Sequence, residues 1–312
     1  MKYIKKFDTV SAQTEYLNSA DIDTYLGYVD ENNTVYYDNN IVIQYQKKYL
    51  TIEALDDGNL TISYRNTFEY STNKGITWTP ITSANTVSFN AGDNIMLKIT
   101  NNGNGMSIDS SDGIGTIKYT GRHNVYGNVM SLRVGDRFKE ISDDQINNWF
   151  THDIFRNLFS GDTALVSAEH MILPVTELKD SCYYQMFRGC TSLTTAPQLP
   201  ATTLAEHCYQ YMFLGCTSLT TAPELPATTL ANYCYGNMFN GCTSLNYIKC
   251  LATDISANNC TYNFVSNVAS TGTFVKAASM SSWTTGNYGI PANWTVQNDD
   301  CSPVDDGDDW EQ

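Results

Sequence analysis

Hydrophobic and polar positions recur every 26 residues in the second half of the chain. Residues 182–207 read CYYQMFRGCTSLTTAPQLPATTLAEH, and residues 208–233 keep 20 of these 26 positions, while a third copy begins at residue 234. A period of this length predicts stacked repeats, because a single unit cannot bury its apolar side without a neighbour. The expected fold of this part is a solenoid.

Within one repeat, the apolar residues Leu204, Cys208 and Met212 are spaced by four. This spacing predicts a short helix or helical turn that faces the core. The stretch with Pro197 and Pro200 predicts an extended edge on the other side. Apolar positions that keep the same phase in every copy define the predicted interior, namely Phe187, Leu193, Met212, Phe213, Leu219, Met238 and Leu245.

The rest of the chain divides around this array. Residues 1–45 are polar and predict an attachment segment. Short strand-like runs with frequent turn signals over 46–140, the last of them NVMSL at 128–132, predict a β-sandwich. Residues 141–260 hold a predicted capping helix and the solenoid. A Gly-rich tract at 261–297 predicts a C-terminal cap, and 298–312 read as an acidic disordered tail. The fold class is therefore mainly β with short helices.

Three local signals refine this division. Gly75, after Asn73 and Lys74, predicts a hairpin turn, because glycine accepts the positive φ that such a turn needs. Ser142, followed by acidic residues and helically spaced apolar side chains, predicts the start of the capping helix. Phe159 aligns with Phe187 in a degenerate first repeat, although the 28 residues between them exceed the period by two.

The net charge and the length of the apolar runs limit the kinds of partner that the chain can bind. The 33 acidic and 18 basic residues give a net charge of −15, which argues against nucleic acid as a ligand. No run approaches the ~20 apolar residues of a membrane span. The N-terminus lacks the apolar run of a signal peptide, so classical secretion is not expected. The 21 tyrosines, with many Thr, Ser and Asn, are typical of a β-rich extracellular surface.

Eight of the nine cysteines lie in the repeat array and follow its register. In stacked repeats, a small residue at the same turn of each unit is buried in a column. The cysteines in register are therefore predicted to be free thiols. Stacked disulfides are not expected, since the Cβ vectors of equivalent residues run parallel. Zinc is not expected, because no CxxC pair occurs. The two main columns are Cys182, Cys208, Cys234 and Cys260, and Cys190, Cys216 and Cys242, with Cys250 separate.

The unit MFxGCTSLTTAPxLPATTLAxxCY resembles the BspA-type leucine-rich repeat over about residues 155–260. That family occurs on surface proteins of gut bacteria and of host-associated protists, and in virion proteins of phages that infect gut bacteria. The resemblance implies adhesion. The opening MKYIKKFDTVSAQTEYLNSADIDTYLGYVDENNTVYYDN and the closing GTFVKAASMSSWTTGNYGIPANWTV are similar to accessory virion proteins of crAss-like gut phages.

The sequence predicts a binding protein without catalytic, cofactor-binding or metal-ligating residues, since none of the four histidines carries a recognisable catalytic signature. Tyr residues that recur in register favour packing between repeats over sugar stacking. Tyrosines that do not recur lie on the variable side of the repeat. The candidate ligand-binding residues there are Tyr184, Glu206, His207, Tyr211 and Tyr233.

Three functions follow for comparison. The leading hypothesis is a non-enzymatic phage virion protein, a head or tail fibre component, that presents the repeats to bacterial surface glycan or mucus. Its attachment segment would contact other virion proteins, and it would be a homo-oligomer located in the virion. The alternative is a BspA-like adhesin on the bacterial cell surface. A glycan hydrolase would need an acid and a base that the sequence does not present.

Overall fold

The computed structural model describes most of the chain from residue 48 to residue 299. Continuous described segments are 48–63, 68–81, 86–100, 115–140 and 151–299. Three expectations fall wholly or largely outside them: the attachment segment, the first ten residues of the capping helix region (141–150) and the acidic tail from residue 300. Of the attachment segment, three short strands are described, β1 (Lys5–Lys6), β2 (Tyr28–Val29) and β3 (Val35–Tyr36), paired in that order.

The protein is mainly β, as the sequence predicts. The strands after β3 are β4 (Leu50–Ala54), β5 (Gly58–Ser63), β6 (Phe68–Ser71), β7 (Thr79–Ile81), β8 (Val87–Phe89), β9 (Asn94–Ile99), β10 (Thr116–Tyr119), β11 (His123–Asn128), β12 (Leu165–Ser167), β13 (Met171–Ile172), β14 (Tyr247–Cys250), β15 (Thr273–Ala277) and β16 (Thr295–Asp299). Helix α1 (Ser131–Val134) runs into a 3-10 helix (Gly135–Lys139).

The described strands between residues 48 and 140, here called the β unit, lie in two sheets. The larger sheet has the order β12-β11-β4-β9-β6-β7, with β13 also paired to β11, and the smaller has the order β10-β5-β8. Antiparallel pairing and alternating burial place residues such as Ile52, Ile95 and Val125 in the core. The β6–β7 hairpin turns at Lys74 and Gly75, which both have positive φ, so that prediction is confirmed.

The predicted last strand of the β unit is wrong in position. Residues 128–132 (NVMSL) were expected to be extended, but β11 ends at Asn128 and α1 begins at Ser131. The Asn128 side chain accepts a hydrogen bond from the backbone N–H of Met130 at 2.9 Å. This local bond stabilises a turn that ends the strand, which is the usual way in which Asn competes with regular structure.

Five runs of consecutive turns lie where a short helix or helical turn was predicted in the repeats; the described repeats contain no α-helix, so the helix is wrong. In each run every fourth residue is left-handed; in the second run these are Ser181, Gln185 and Gly189, with φ of 55°, 57° and 73°. A four-residue turn with positive φ at its third position resembles type II. The runs, called turn runs below, cover residues 153–161, 181–189, 207–215, 233–241 and 259–267.

Backbone N–H groups of a turn run alternate between two kinds of partner. The N–H of Met186 donates to Tyr183 O within the turn at 3.2 Å, whereas the N–H of Phe187 donates to Met212 O of the next repeat at 2.9 Å. The same pair of bonds recurs at Met212 and Phe213. Every second N–H thus joins neighbouring repeats, and the others close turns, so the buried backbone is satisfied without helix or strand.

Aromatic rings stack in two columns inside the repeats. Phe159, Phe187, Phe213 and Phe239 form one column, with successive ring centroids 5.5–5.6 Å apart and nearly parallel planes. The seven residues that the sequence placed inside are all fully buried. The offset that pairs Phe159 with Phe187 is confirmed. The second column consists of Phe155, Tyr183, Tyr209, Tyr235 and Phe264.

The repeat pattern extends further than the sequence suggested. A fifth turn run, which contains Cys260, places Phe264 at the end of the second ring column, and the N–H of Phe239 donates to Phe264 O at 2.9 Å. Parallel strands β14, β15 and β16 continue the other side of the stack. Residues 298 and 299 belong to β16, so the disordered tail predicted to begin at residue 298 is wrong at its first two residues. Trp294 is buried and its Nε1 donates to Ala269 O at 2.9 Å.

Direct contacts join the β unit to the first repeat. The N–H of Ile117 in β10 donates to Leu158 O at 2.7 Å, and β11 pairs in parallel with β12 and β13. His123 and Asp162 are both buried, with Nε2 and Oδ2 3.4 Å apart. One continuous cluster of buried apolar residues therefore extends from Tyr49 to Trp294.

Candidate functional site

The half-buried and exposed side chains of the turn runs and of the residue before each run form one surface, which we call the turn face. Equivalent residues in adjacent repeats lie about 4.8 Å apart, the spacing of neighbouring strands. Side chains at one position therefore form a row across the repeats. All five predicted ligand-binding residues lie on this face: Tyr184, Glu206, His207, Tyr211 and Tyr233.

Tyr184 and Tyr211 meet on the turn face although they occupy different positions of the repeat. Their ring centroids are 5.6 Å apart and their planes nearly perpendicular, an edge-to-face arrangement. The guanidinium carbon of Arg156 lies 4.5 Å from the centroid of the Tyr184 ring. These three side chains form a cluster of two half-buried tyrosines with an exposed cation at one end.

His207 and Tyr233 form a second cluster. Their rings stack with centroids 4.9 Å apart and planes inclined by 20°. Nδ1 of His207 is 2.6 Å from Gln210 Oε1, and Nε2 is 3.3 Å from the Glu206 carboxylate, which is exposed. Asn259 donates its amide to the Tyr233 hydroxyl at 2.8 Å. Polar groups at the rim therefore hold both rings in place.

The structure thus groups Tyr184 with Tyr211, and Glu206 and His207 with Tyr233. His207 and Tyr211 are successive left-handed residues of one turn run, with φ of 58° and 60°. Left-handed backbone is unusual for bulky residues and costs roughly 1–2 kcal/mol each. Glycine serves the same role at the end of that run, at Gly215. Aromatic residues have therefore been placed where the backbone favours glycine.

Sequence reasoning missed two exposed tyrosines, Tyr262 and Tyr288. They are 37% and 51% exposed, with ring centroids 5.3 Å apart. One repeat earlier, Gly236 occupies the position of Tyr262. Burial raises the pKa of Tyr211, and the phenols of Tyr184 and Tyr262 raise it further. Continuing the period of 26 past Cys260 would have found Tyr262, because it falls at the position of Gly236 in a further repeat.

This arrangement suits a ligand with flat apolar patches and many hydroxyls. Tyrosine presents a rigid ring and a polar hydroxyl and loses little conformational freedom on contact. Amides and carboxylates beside the rings can accept and donate hydrogen bonds at a solvated rim. A sugar chain has both features. The turn face offers such contacts over several repeats, in the manner of extended binding surfaces in repeat proteins.

The cysteine columns are part of the interior. All eight described cysteines are free and buried, as the sequence predicts. The thiols of Cys190, Cys216 and Cys242 donate to carbonyl oxygens of the preceding repeat at 3.0–3.1 Å. Burial raises the pKa of Cys242 to about 12 and raises those of Cys190 and Cys216 as well. Neutral, inaccessible thiols of this kind are structural and unreactive.

A cleft of about 490 Å³ lies over strands β4, β9 and β11. Asn124 donates to the Glu53 carboxylate at 2.8 Å, and the Tyr126 hydroxyl donates to Asn94 Oδ1 at 3.0 Å. Its polar lining is thus already hydrogen-bonded internally. The cleft contains none of the residues that break the repeat register.

Two further properties concern cofactors and membranes. Within the described segments, no three His, Cys, Asp or Glu side chains are grouped closely enough to hold a metal ion. No helix in that part of the chain is long and apolar enough to cross a membrane.

Compared with protein-family models, with curated proteins and with solved structures, the chain matches none.

Proposed function

We propose that this protein is a non-enzymatic adhesion and structural protein that binds bacterial surface glycan or mucus through its turn face. In this proposal the repeats form a leucine-rich-repeat solenoid of the BspA type, and the β unit is a sandwich that carries it. The observation that carries the proposal is the aromatic clustering on the turn face. Tyr184 meets Tyr211, and His207 meets Tyr233, at positions where the repeats differ.

The contrast with the interior supports a binding role. Interior columns repeat the same residue in register, as Phe187, Phe213 and Phe239 do. Packing accounts for that repetition. The face tyrosines lie outside the two interior ring columns, and two of them, Tyr211 and Tyr233, occupy costly left-handed positions. Residues kept in strained conformations at a surface are commonly functional.

The location that we propose is the virion of a phage that infects gut bacteria, with residues 1–45 contacting other virion proteins. This part rests on the resemblance of the two ends of the chain to accessory virion proteins of crAss-like phages. Self-association into a homo-oligomer would multiply weak glycan contacts, because linked sites gain affinity from their high effective concentration. A single turn face then needs only modest affinity.

Binding of the full chain to mucin and to an array of bacterial surface polysaccharides tests the glycan part. We expect the Tyr211→Ala/Tyr233→Ala variant to lose at least 10-fold in affinity. The matched control is Thr202→Ala/Thr228→Ala, two exposed threonines outside the turn runs. Equal binding by the two variants would remove the turn face from the proposal. Release of reducing ends during the assay would indicate a hydrolase instead.

Antibody labelling of phage particles and of the bacterial surface tests the location. Label on the particle, with density for the chain by cryo-electron microscopy, is the expected result. Label on bacteria free of phage would contradict the virion location and favour the cell-surface adhesin.

A further inference from the structure

A groove of about 390 Å³ runs across the junction between the β unit and the first two repeats. Four adjacent rows line it: strands β5 and β10, and the first and second turn runs. Of the described residues that line the groove, two are charged, Lys118 and Arg188, and both are positive. Acidic residues outnumber basic ones in the sequence, 33 to 18, so two cations without an acid beside them are unusual for this chain.

The strand rows present hydroxyls beside Lys118. In the antiparallel register, Thr116 is opposite Ser63 and Lys118 is opposite Thr61. Alternation along a strand places all four side chains on one face, while Ile117 points into the core. The N–H of Ile117 donates across the junction, so β10 lies directly beside the first turn run. The face of the sheet therefore continues into the repeats without a break.

The turn rows complete the groove with amides and a guanidinium. The first run supplies Asn157 and Ser160, and the second supplies Gln185 and Arg188. The N–H of Gly161 donates to Arg188 O at 2.6 Å, which fixes the two runs side by side. Gly161 also makes room for the cation of the neighbouring strand: a Cβ on this residue would lie 3.2 Å from Lys118 Nζ.

Both cations are available for a ligand. Within the described segments, neither Lys118 nor Arg188 forms an ion pair with a carboxylate, whereas Lys98, Arg122 and Lys249 each do. The side chains of Lys118 and Arg188 are exposed. Ammonium and guanidinium groups flanked by hydroxyl and amide donors form charge-assisted hydrogen bonds with carboxylate and sulfate oxygens.

The groove overlaps the turn face, because Asn157, Ser160, Gln185 and Arg188 belong to the first two turn runs. Arg188 is close enough to Tyr211 for its charge to act on the pKa of that phenol, which it lowers against the raising effect of burial. Tyr211 in turn meets Tyr184. A chain-like ligand on the aromatic cluster can therefore extend into the groove.

We propose that this groove binds the acidic group of an anionic polysaccharide, a carboxylate or a sulfate ester, while the polysaccharide chain continues over the turn face. The inference rests on the proposed glycan binding and narrows its ligand to acidic glycans. Lys118 and Arg188 neutralise the anion, and the hydroxyls and amides of the four rows orient it.

Binding of the full chain to three probes tests this inference: polygalacturonate, dextran sulfate and neutral dextran. We expect at least one acidic probe to bind more tightly than neutral dextran, and Lys118→Gln/Arg188→Gln to weaken that binding about 10-fold. The control Lys74→Gln/Lys179→Gln removes the same charge outside the groove and should change affinity less than 3-fold. The two acidic probes distinguish carboxylate from sulfate.

Two outcomes overturn the inference: acidic probes that bind no better than dextran, or equal losses in the groove and control variants, which would indicate unspecific attraction. Failure of the proposed function has a different signature, because then neither these probes nor mucin and surface polysaccharides would bind the wild-type chain. Retained mucin binding with an unaffected groove variant would refute the groove alone.

Discussion

The interior and the turn face of the repeats share one backbone but follow different rules. Inside, Phe187, Phe213 and Phe239 occupy the same position in successive repeats and stack at 5.5 Å. On the face, Tyr184, Tyr211 and Tyr233 sit at different positions and meet different partners. Residues that recur at one position in every repeat therefore indicate packing. Residues that do not recur indicate a surface on which a ligand can bind.

The same contrast separates stability from binding. In an interior column each ring packs against the rings of both neighbouring repeats, so loss of one ring weakens the contacts between several repeats. Face residues contribute little to this coupling. Changes inside should therefore lower the free energy of unfolding, and changes outside should alter affinity. The predictions below probe this difference, beginning with the largest effect.

Removal of one ring from the interior column should have the largest effect. Phe213→Ala leaves a cavity between Phe187 and Phe239, and we expect a loss of about 3–5 kcal/mol in the free energy of unfolding. Leu214→Ala, at the half-buried neighbouring position, is the control and should cost about 1 kcal/mol or less. Urea denaturation measures both. Similar costs for the two variants would mean that the column does not hold the repeats together.

Alkaline pH should destabilise the interior through its thiols. Burial raises the pKa of Cys242 and of Cys250 to about 12 in the folded chain. Above about pH 8.5 the thiols of the unfolded chain lose protons while the folded ones stay neutral. Stability is therefore fully present below pH 8.5 and is lost as pH rises toward 12, at up to about 1.4 kcal/mol per pH unit for each thiol.

Denaturation at pH 7 to 11 measures this slope. The variant Cys242→Ala starts from a lower stability but should lose less of it with pH, because one titrating group is gone. An identical slope in the variant and the wild type would show that Cys242 is not shielded from solvent.

A smaller effect on stability is expected from the backbone of the turn runs, which carries both the interior columns and the turn face. Gly241 has φ of 78°, and a Cβ there would meet its nearest atom at 3.6 Å, which is an ordinary contact. Gly241→Ala should therefore cost only the left-handed conformation, about 1–2 kcal/mol. Gly241→Asn should cost less, since Asn267 occupies the equivalent position of the next run with positive φ. Equal thermal midpoints for Gly241→Ala and the wild type would argue against left-handed turns.

Much of the interior was predictable from the sequence because the period alone fixes which side chains share a column. The local conformation was not. Spacing of four between Cys208 and Met212 suits a helix, but it equally suits turns that repeat every four residues. Glycine or asparagine at every fourth residue, as at Asn237 and Gly241, distinguishes the two, since these residues tolerate positive φ.

The binding surface was predictable only in part. Tyr184, Tyr211 and Tyr233 stood out because they break the register, and Tyr262 escaped because the repeats were taken to end at Cys260. The groove could not be found from sequence. It depends on β10 lying beside the first turn run, which brings Lys118 to the same surface as Arg188. Such long-range pairing leaves no local pattern.

Tyr209 and Tyr211 allow the most direct test, since they lie two residues apart in one turn run. Tyr209 is 1% exposed and stacked in the interior column, whereas Tyr211 is half-buried on the turn face. The measurement is the thermal midpoint and the mucin affinity of Tyr209→Ala and Tyr211→Ala side by side. We expect Tyr209→Ala to lower the midpoint strongly while the folded fraction binds as wild type, and Tyr211→Ala to keep the midpoint and lose affinity. Loss of affinity in Tyr209→Ala alone, with Tyr211→Ala binding normally, would contradict the separation of packing from binding.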